Sequence, residues 1–136
     1  MSNKFLAIAV ATTLAGSVCF AQTTPPAIIE DFKPSELNQP AQEYPQVNSQ
    51  GYARFKIIAP SADSVRVSLG LGGRGGTILT KQAGSSWAGT TEGPIDEAFH
   101  YNVKIDDGKF NDPGALIFFG STRWESGIEI AEKKLL

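Results

Sequence analysis

The 136-residue chain carries 12 Lys and Arg against 14 Asp and Glu, with one His and one Cys, for a formal charge of −2. No basic stripe runs through it, so nucleic acid is excluded as an expected partner, and a single His excludes a multi-histidine metal cluster. Along the chain, Lys4 opens a short positive region, Phe5 to Leu14 is apolar or small, and Cys19-Phe20-Ala21 offers small residues at the −3 and −1 positions of a cleavage site. This layout predicts a signal peptide over 1–21, too short to span a bilayer and cleaved after Ala21. A secreted or periplasmic protein with no membrane association follows. Lipid anchoring through Cys19 is the alternative, disfavoured by bulky Val18 before it. Cleavage would remove the only Cys and leave one disulfide-free domain's worth of chain.

Residues 22–46 hold Pro25, Pro26, Pro34, Pro40 and Pro45 among polar residues, which predicts a Pro-rich linker. From residue 47 the pattern changes to period two. Ala53, Phe55 and Ile57 alternate with Arg54, Lys56 and Ile58; Val65, Val67 and Leu69 alternate with Arg66 and Ser68. Thr77–Thr80 and Trp87–Thr91 read as short strands. In the run 99–105, Phe99, Tyr101, Val103 and Ile105 point one way, and His100, Asn102 and Lys104 the other. Asp107-Gly108 predicts a hairpin with glycine at the positive-φ position, returning through Lys109-Phe110. Leu116–Phe119 is a last apolar strand, and 128–136 a charged tail. Short alternating strands with turn signals between them predict an all-β sandwich over 47–127.

Catalytic parts are missing. No Gly-x-Ser-x-Gly elbow is present, and a Ser-His-Asp triad would have to use His100 in mid-strand, where a surface histidine is the plainer reading. The run Gly70 to Gly76 lacks the Lys-Ser/Thr ending and the following helix of a phosphate loop. The carboxylate pairs Asp106/Asp107 and Glu92/Asp96 lie in turns. No catalytic residue, metal or cofactor is expected.

The order of several motifs carries a resemblance. Ala59-Pro60, then Ala62 to Val67, Trp87, Gly93-Pro94, Phe99-His100-Tyr101 and Asp107-Gly108-Lys109-Phe110-Asn111-Asp112-Pro113 together resemble the family 48 carbohydrate-binding module, an immunoglobulin-like early-set domain. Glu43 to Val47, Leu69 to Gly73, Phe110 to Gly114 and Gly120 to Gly127 are similar to the copy that precedes family 1 carbohydrate esterase domains in feruloyl and acetyl-xylan esterases of Bacteroidota. The resemblance implies an immunoglobulin-like antiparallel β-sandwich with an accessory role beside an esterase. Its expected polysaccharide is xylan or arabinoxylan rather than starch or glycogen.

The resemblance also implies site residues. Sugar faces stack on aromatic planes while hydroxyls need polar partners. Phe110 matches the aromatic that follows the Asp-Gly turn in glucan-binding members, and Trp87 the tryptophan of an earlier strand. A core position is the alternative for Trp87, and a cap on the sandwich end for Phe110. Asn102 and Lys104 on the outward face, with Asn111 beside Phe110, are expected hydrogen-bonding partners. Arg123 and Trp124 are expected to pack on an esterase catalytic domain. A structural domain that orients such an enzyme without binding sugar, and a truncated fragment of an esterase or glycoside hydrolase, are the competing functions.

Overall fold

The computed structural model describes residues 24, 26–69, 76–95, 100–120 and 122–130. The predicted signal peptide, the glycine run 70–75 and the tail from 131 lie outside the described residues. Two antiparallel sheets form an immunoglobulin-like sandwich; among the described residues the single helical element is a 3-10 turn at Ala83–Ser85. The strands in chain order are β1 (Lys33–Pro34), β2 (Gln46–Val47), β3 (Ala53–Ile58), β4 (Val65–Leu69), β5 (Thr77–Ile78), β6 (Thr80–Lys81), β7 (Ser86–Thr90), β8 (His100–Ile105), β9 (Gly108–Phe110), β10 (Ile117–Gly120) and β11 (Arg123–Gly127). One sheet runs β1-β2-β3-β7-β6; the other runs β10-β11-β8-β4-β5, with β9 also paired to β8.

Alternation explains the core. Ala53, Phe55 and Ile57 from β3 and Trp87 from β7 meet Val65 and Val67 from β4 and Tyr101 and Val103 from β8. The Phe55 and Tyr101 rings, one from each sheet, lie 5.3 Å apart and tilted by 57°. Both are 0 % exposed, so this pair forms the dry centre between the sheets.

The sequence predicts a linker over 22–46, whereas the structure builds β1 and the first residue of β2 from it. Lys33 pairs with Val47 and Pro34 with Gln46. Proline is tolerated there because β1 is an edge strand. The polar residues between them satisfy the chain: Ser35 N donates to Pro45 O at 2.9 Å, and Asn38 Nδ2 to Pro45 O at 3.0 Å. At the other end, Ile128, predicted to open a tail, is 0 % exposed and belongs to the core. Glu129 N then donates to the Ser35 hydroxyl at 3.4 Å, tying the end of the sandwich to its beginning.

One turn and one strand differ from expectation. Between β8 and β9 the positive φ falls on Asp106, at 51°, and Gly108 already belongs to β9. Asp106 holds this conformation because its Oδ1 accepts the N–H groups of Asp63 and Ser64 at 2.9 and 2.8 Å. Gly108 leaves room for the Phe110 ring, which a Cβ there would push aside. The second difference is β11, a strand in the stretch read as a polar docking segment. Its sequence Arg-Trp-Glu-Ser-Gly shows no apolar alternation because Glu125 and Ser126 are both buried through polar partners.

Candidate functional site

The expected sugar-contacting residues spread over three surroundings. Trp87 sits on β7 opposite Ile57 and is only 7 % exposed. Its Nε1–H donates to Ala59 O at 3.0 Å, and the Lys81 ammonium lies 5.6 Å from its ring. Its indole is a member of the core and presents no open face to a sugar ring.

Phe110 ends β9 and is 52 % exposed, so its ring is accessible. It does not share a face with the polar residues expected to help it. The two-residue turn at Asp106-Asp107 pairs Ile105 with Gly108, Lys104 with Lys109 and Val103 with Phe110. Paired residues lie on the same side of a sheet. Phe110 therefore stands on the Val103 side, and Lys104 with Lys109 on the other. Asn111, half-buried, follows Phe110. Lys104 is exposed, whereas Asn102 is 4 % exposed and its Oδ1 has no hydrogen-bond partner. Asn102 faces Ser68 across the β4–β8 pair, two pairs beyond Lys104 and Arg66.

The base of this region is held by buried polar contacts. Tyr101 Oη donates to Asp112 Oδ2 at 2.7 Å, Gly114 N donates to Asp112 Oδ1 at 2.8 Å, and Asp112 N donates to the Ser126 hydroxyl at 2.8 Å. Burial raises the Asp112 carboxyl above its ordinary pKa, against the lowering effect of the Tyr101 and Gly114 hydrogen bonds. Burial first, then the Asp112 charge beside it, push the Tyr101 phenol far up. The network fixes the Asp-Pro turn and therefore the exit of β9 toward Asn111.

The β10–β11 hairpin carries a second accessible surface. Phe119 pairs directly with Trp124, their rings 5.3 Å apart and tilted by 57°. They are 63 % and 62 % exposed, and Ile117, two residues back on the same face of β10, is 43 % exposed. Arg123 points to the opposite face, where its Nε lies 3.3 Å from Glu125 Oε1 beside Lys109 Nζ at 3.4 Å. The expected interface pair thus divides: Trp124 joins an apolar ledge, and Arg123 braces a buried carboxylate. Phe119 and Ile117 were legible only as members of an apolar strand; the signal that they are uncovered is their place on the edge strand β10. An apolar ledge of this kind promotes association. The double variant Phe119→Ser, Trp124→Ser is expected to reduce concentration-dependent association in sedimentation velocity, at a stability cost of at most about 1 kcal/mol. Unchanged sedimentation would show that the ledge mediates no self-contact.

His100 is half-buried, edge-on to Phe118 at 6.4 Å and packed against Gly120. Among the described residues no group of three His, Cys, Asp or Glu is placed to hold a metal ion.

No protein-family profile matches the chain, so the family 48 resemblance rests on the motifs quoted above. A crystal structure of apo pullulanase from Paenibacillus barengoltzii aligns with a TM-score of 0.46 at 20% identity, over 61% of this chain and 14% of that one. Over 105 residues, 76% of its length, the chain is 65% identical to an endo-1,4-beta-xylanase/feruloyl esterase of Xylanibacter ruminicola, and it spans only 14% of that relative's length.

Proposed function

We propose that the chain is a non-catalytic carbohydrate-binding-like accessory module of an exported plant-polysaccharide esterase system, and that its polysaccharide is xylan or arabinoxylan. The observation that carries this reading is the 65% identity, over 105 residues, to one stretch of a protein named as a xylanase and feruloyl esterase. The sandwich supports it by presenting an accessible aromatic, Phe110, beside Asn111, with Lys104 on the other face of the same hairpin. In this reading Phe110 stacks on a sugar face and Asn111 bonds a hydroxyl.

Native gels containing arabinoxylan, starch or no polymer test it. The protein from residue 22 is expected to be retarded by arabinoxylan and to run freely with starch. Phe110→Ala is expected to weaken retention about tenfold while leaving the melting temperature nearly unchanged, because the ring is half exposed. Equal mobility of the wild type in all three gels would sink the reading.

A second reading has its own support. The exposed ledge of Ile117, Phe119 and Trp124 suits a domain that leans on an enzymatic neighbour and orients it. It predicts that the module binds an isolated esterase domain and that Phe119→Ser with Trp124→Ser abolishes the contact.

A further inference from the structure

Arg66, Lys104 and Lys109 stand in one row. Arg66 pairs with Lys104 between β4 and β8, and Lys104 pairs with Lys109 between β8 and β9. All three side chains are exposed. With neighbouring strands about 4.8 Å apart, the row spans about 10 Å across the outer face of the sheet. Like charges directly opposite one another destabilise a sheet, so the row opposes the fold that carries it.

The nearby carboxylates do not cancel it. Glu125 is shared between Lys109 at 3.4 Å and Arg123 at 3.3 Å, so it is not available to Arg66 or Lys104. Asp106 Oδ1 accepts the N–H groups of Asp63 and Ser64 and the Ser64 hydroxyl, and its charge remains at the groove, which therefore holds two cations against one carboxylate. Among the described residues neither Arg66 nor Lys104 has an ion-pair partner.

A groove of about 220 Å³ lies at these two cations, lined also by Ser64, Val65, Ile78 and Asp106. Ile78 continues the row on β5 opposite Arg66 and is 68 % exposed, an apolar surface suited to the C–H face of a sugar ring. A carboxylate for the cations and a ring face for Ile78 describe one ligand class.

We propose that this face binds a carboxylate-bearing sugar: a uronic acid side group on a xylan chain, held by the Arg66 guanidinium and the Lys104 ammonium. The proposal rests on the xylan reading above and adds the charge class of the polysaccharide. Charge complementarity selects it over nucleic acid. The whole chain is acidic at −2, so a continuous polyanion meets repulsion beyond the row, while isolated carboxylates on a neutral backbone do not.

The test measures affinity for glucuronoxylan, for the same polymer with its carboxyl groups reduced to alcohols, and for neutral arabinoxylan, at low and high salt. Glucuronoxylan is expected to bind about tenfold more tightly than its reduced form, with the difference shrinking in salt. The variant Arg66→Gln is expected to remove most of that difference and to keep the affinity for arabinoxylan. Its melting temperature is expected to stay level or rise, since a like-charge contact is removed. Equal affinity for the acidic and reduced polymers would overturn the uronate site and leave the xylan reading standing. Binding to none of the three would overturn both. Equal affinity for double-stranded DNA would also overturn the proposal, by showing attraction to any polyanion.

Discussion

Trp87→Ala is expected to destabilise the domain by about 3–5 kcal/mol, a large part of the margin of a small sandwich. The indole is 7 % exposed and lies in the cluster formed with Ile57, Leu79 and Ala59. Truncation leaves a cavity that neighbouring strands cannot fill, and it removes the shorter of two hydrogen bonds to Ala59 O, at 3.0 Å. Trp87→Phe, which retains most of the apolar volume, should cost less, about 1–3 kcal/mol, including the lost indole hydrogen bond; Ala59 O keeps the Ala62 N–H at 3.3 Å. Urea unfolding followed by circular dichroism measures both. The same variants separate a core tryptophan from a stacking platform. Unchanged stability in Trp87→Ala together with selective loss of polysaccharide binding would mean that the ring meets sugar, contrary to its buried position.

The second large effect belongs to Asp112. Asp112→Ala removes the acceptor of Tyr101 Oη and of Gly114 N, at 2.7 and 2.8 Å, in a site where the tyrosine is fully buried. Each stranded donor costs about 1–3 kcal/mol, so a loss of about 3 kcal/mol is expected. Asp112→Asn keeps an acceptor and removes the titration, which isolates the pH dependence. Burial raises the folded-state pKa of Asp112 above its ordinary value of 3.8. The folded protein therefore holds this proton more tightly than the unfolded chain does. Its stabilising contribution is full below pH 3.8 and is lost as the pH rises through the raised folded value. Compared with Asp112→Asn, the wild type should lose stability across that window and then stay level. A wild type that gains relative stability as the pH rises would show that the hydrogen bonds outweigh the burial and that the pKa lies below the ordinary one.

The sandwich was legible because its central strands alternate. Ala53, Phe55 and Ile57 in β3 and Val65 and Val67 in β4 are buried on one face as their spacing predicts. Tyr101 and Val103 follow the same rule in β8. The edges were harder to read. Lys33–Pro34 joins the sheet through two backbone pairings, which need no apolar side chain and leave no periodic trace. β11 was hidden because its buried positions are polar: Glu125 is covered by Arg123 and Lys109, and Ser126 accepts from Asp112 N.

The site was read residue by residue, where register was needed. Phe110 and Lys104 are close in sequence and appear to belong together. A two-residue turn, however, pairs even positions with odd ones, placing Phe110 behind Val103 and Lys109 beside Lys104. The same arithmetic brings Arg66 into line with Lys104 from a strand 38 residues earlier, a relation visible only once β4 and β8 are known to pair. Trp87 was ambiguous for another reason. Its neighbours Ser86, Ala88 and Gly89 are small, so periodicity does not show which side of the strand is covered. The packing of β7 against β3 and the bond to Ala59 O settle its place in the core.

The central claim, that this domain binds xylan, is tested most directly by titrating the isotope-labelled protein from residue 22 with xylan oligosaccharides and following its amide resonances. Saturable shifts confined to β8, β9 and the turn through Asn111, and absent with malto-oligosaccharides, are the predicted result. An unperturbed spectrum at millimolar oligosaccharide would contradict the claim.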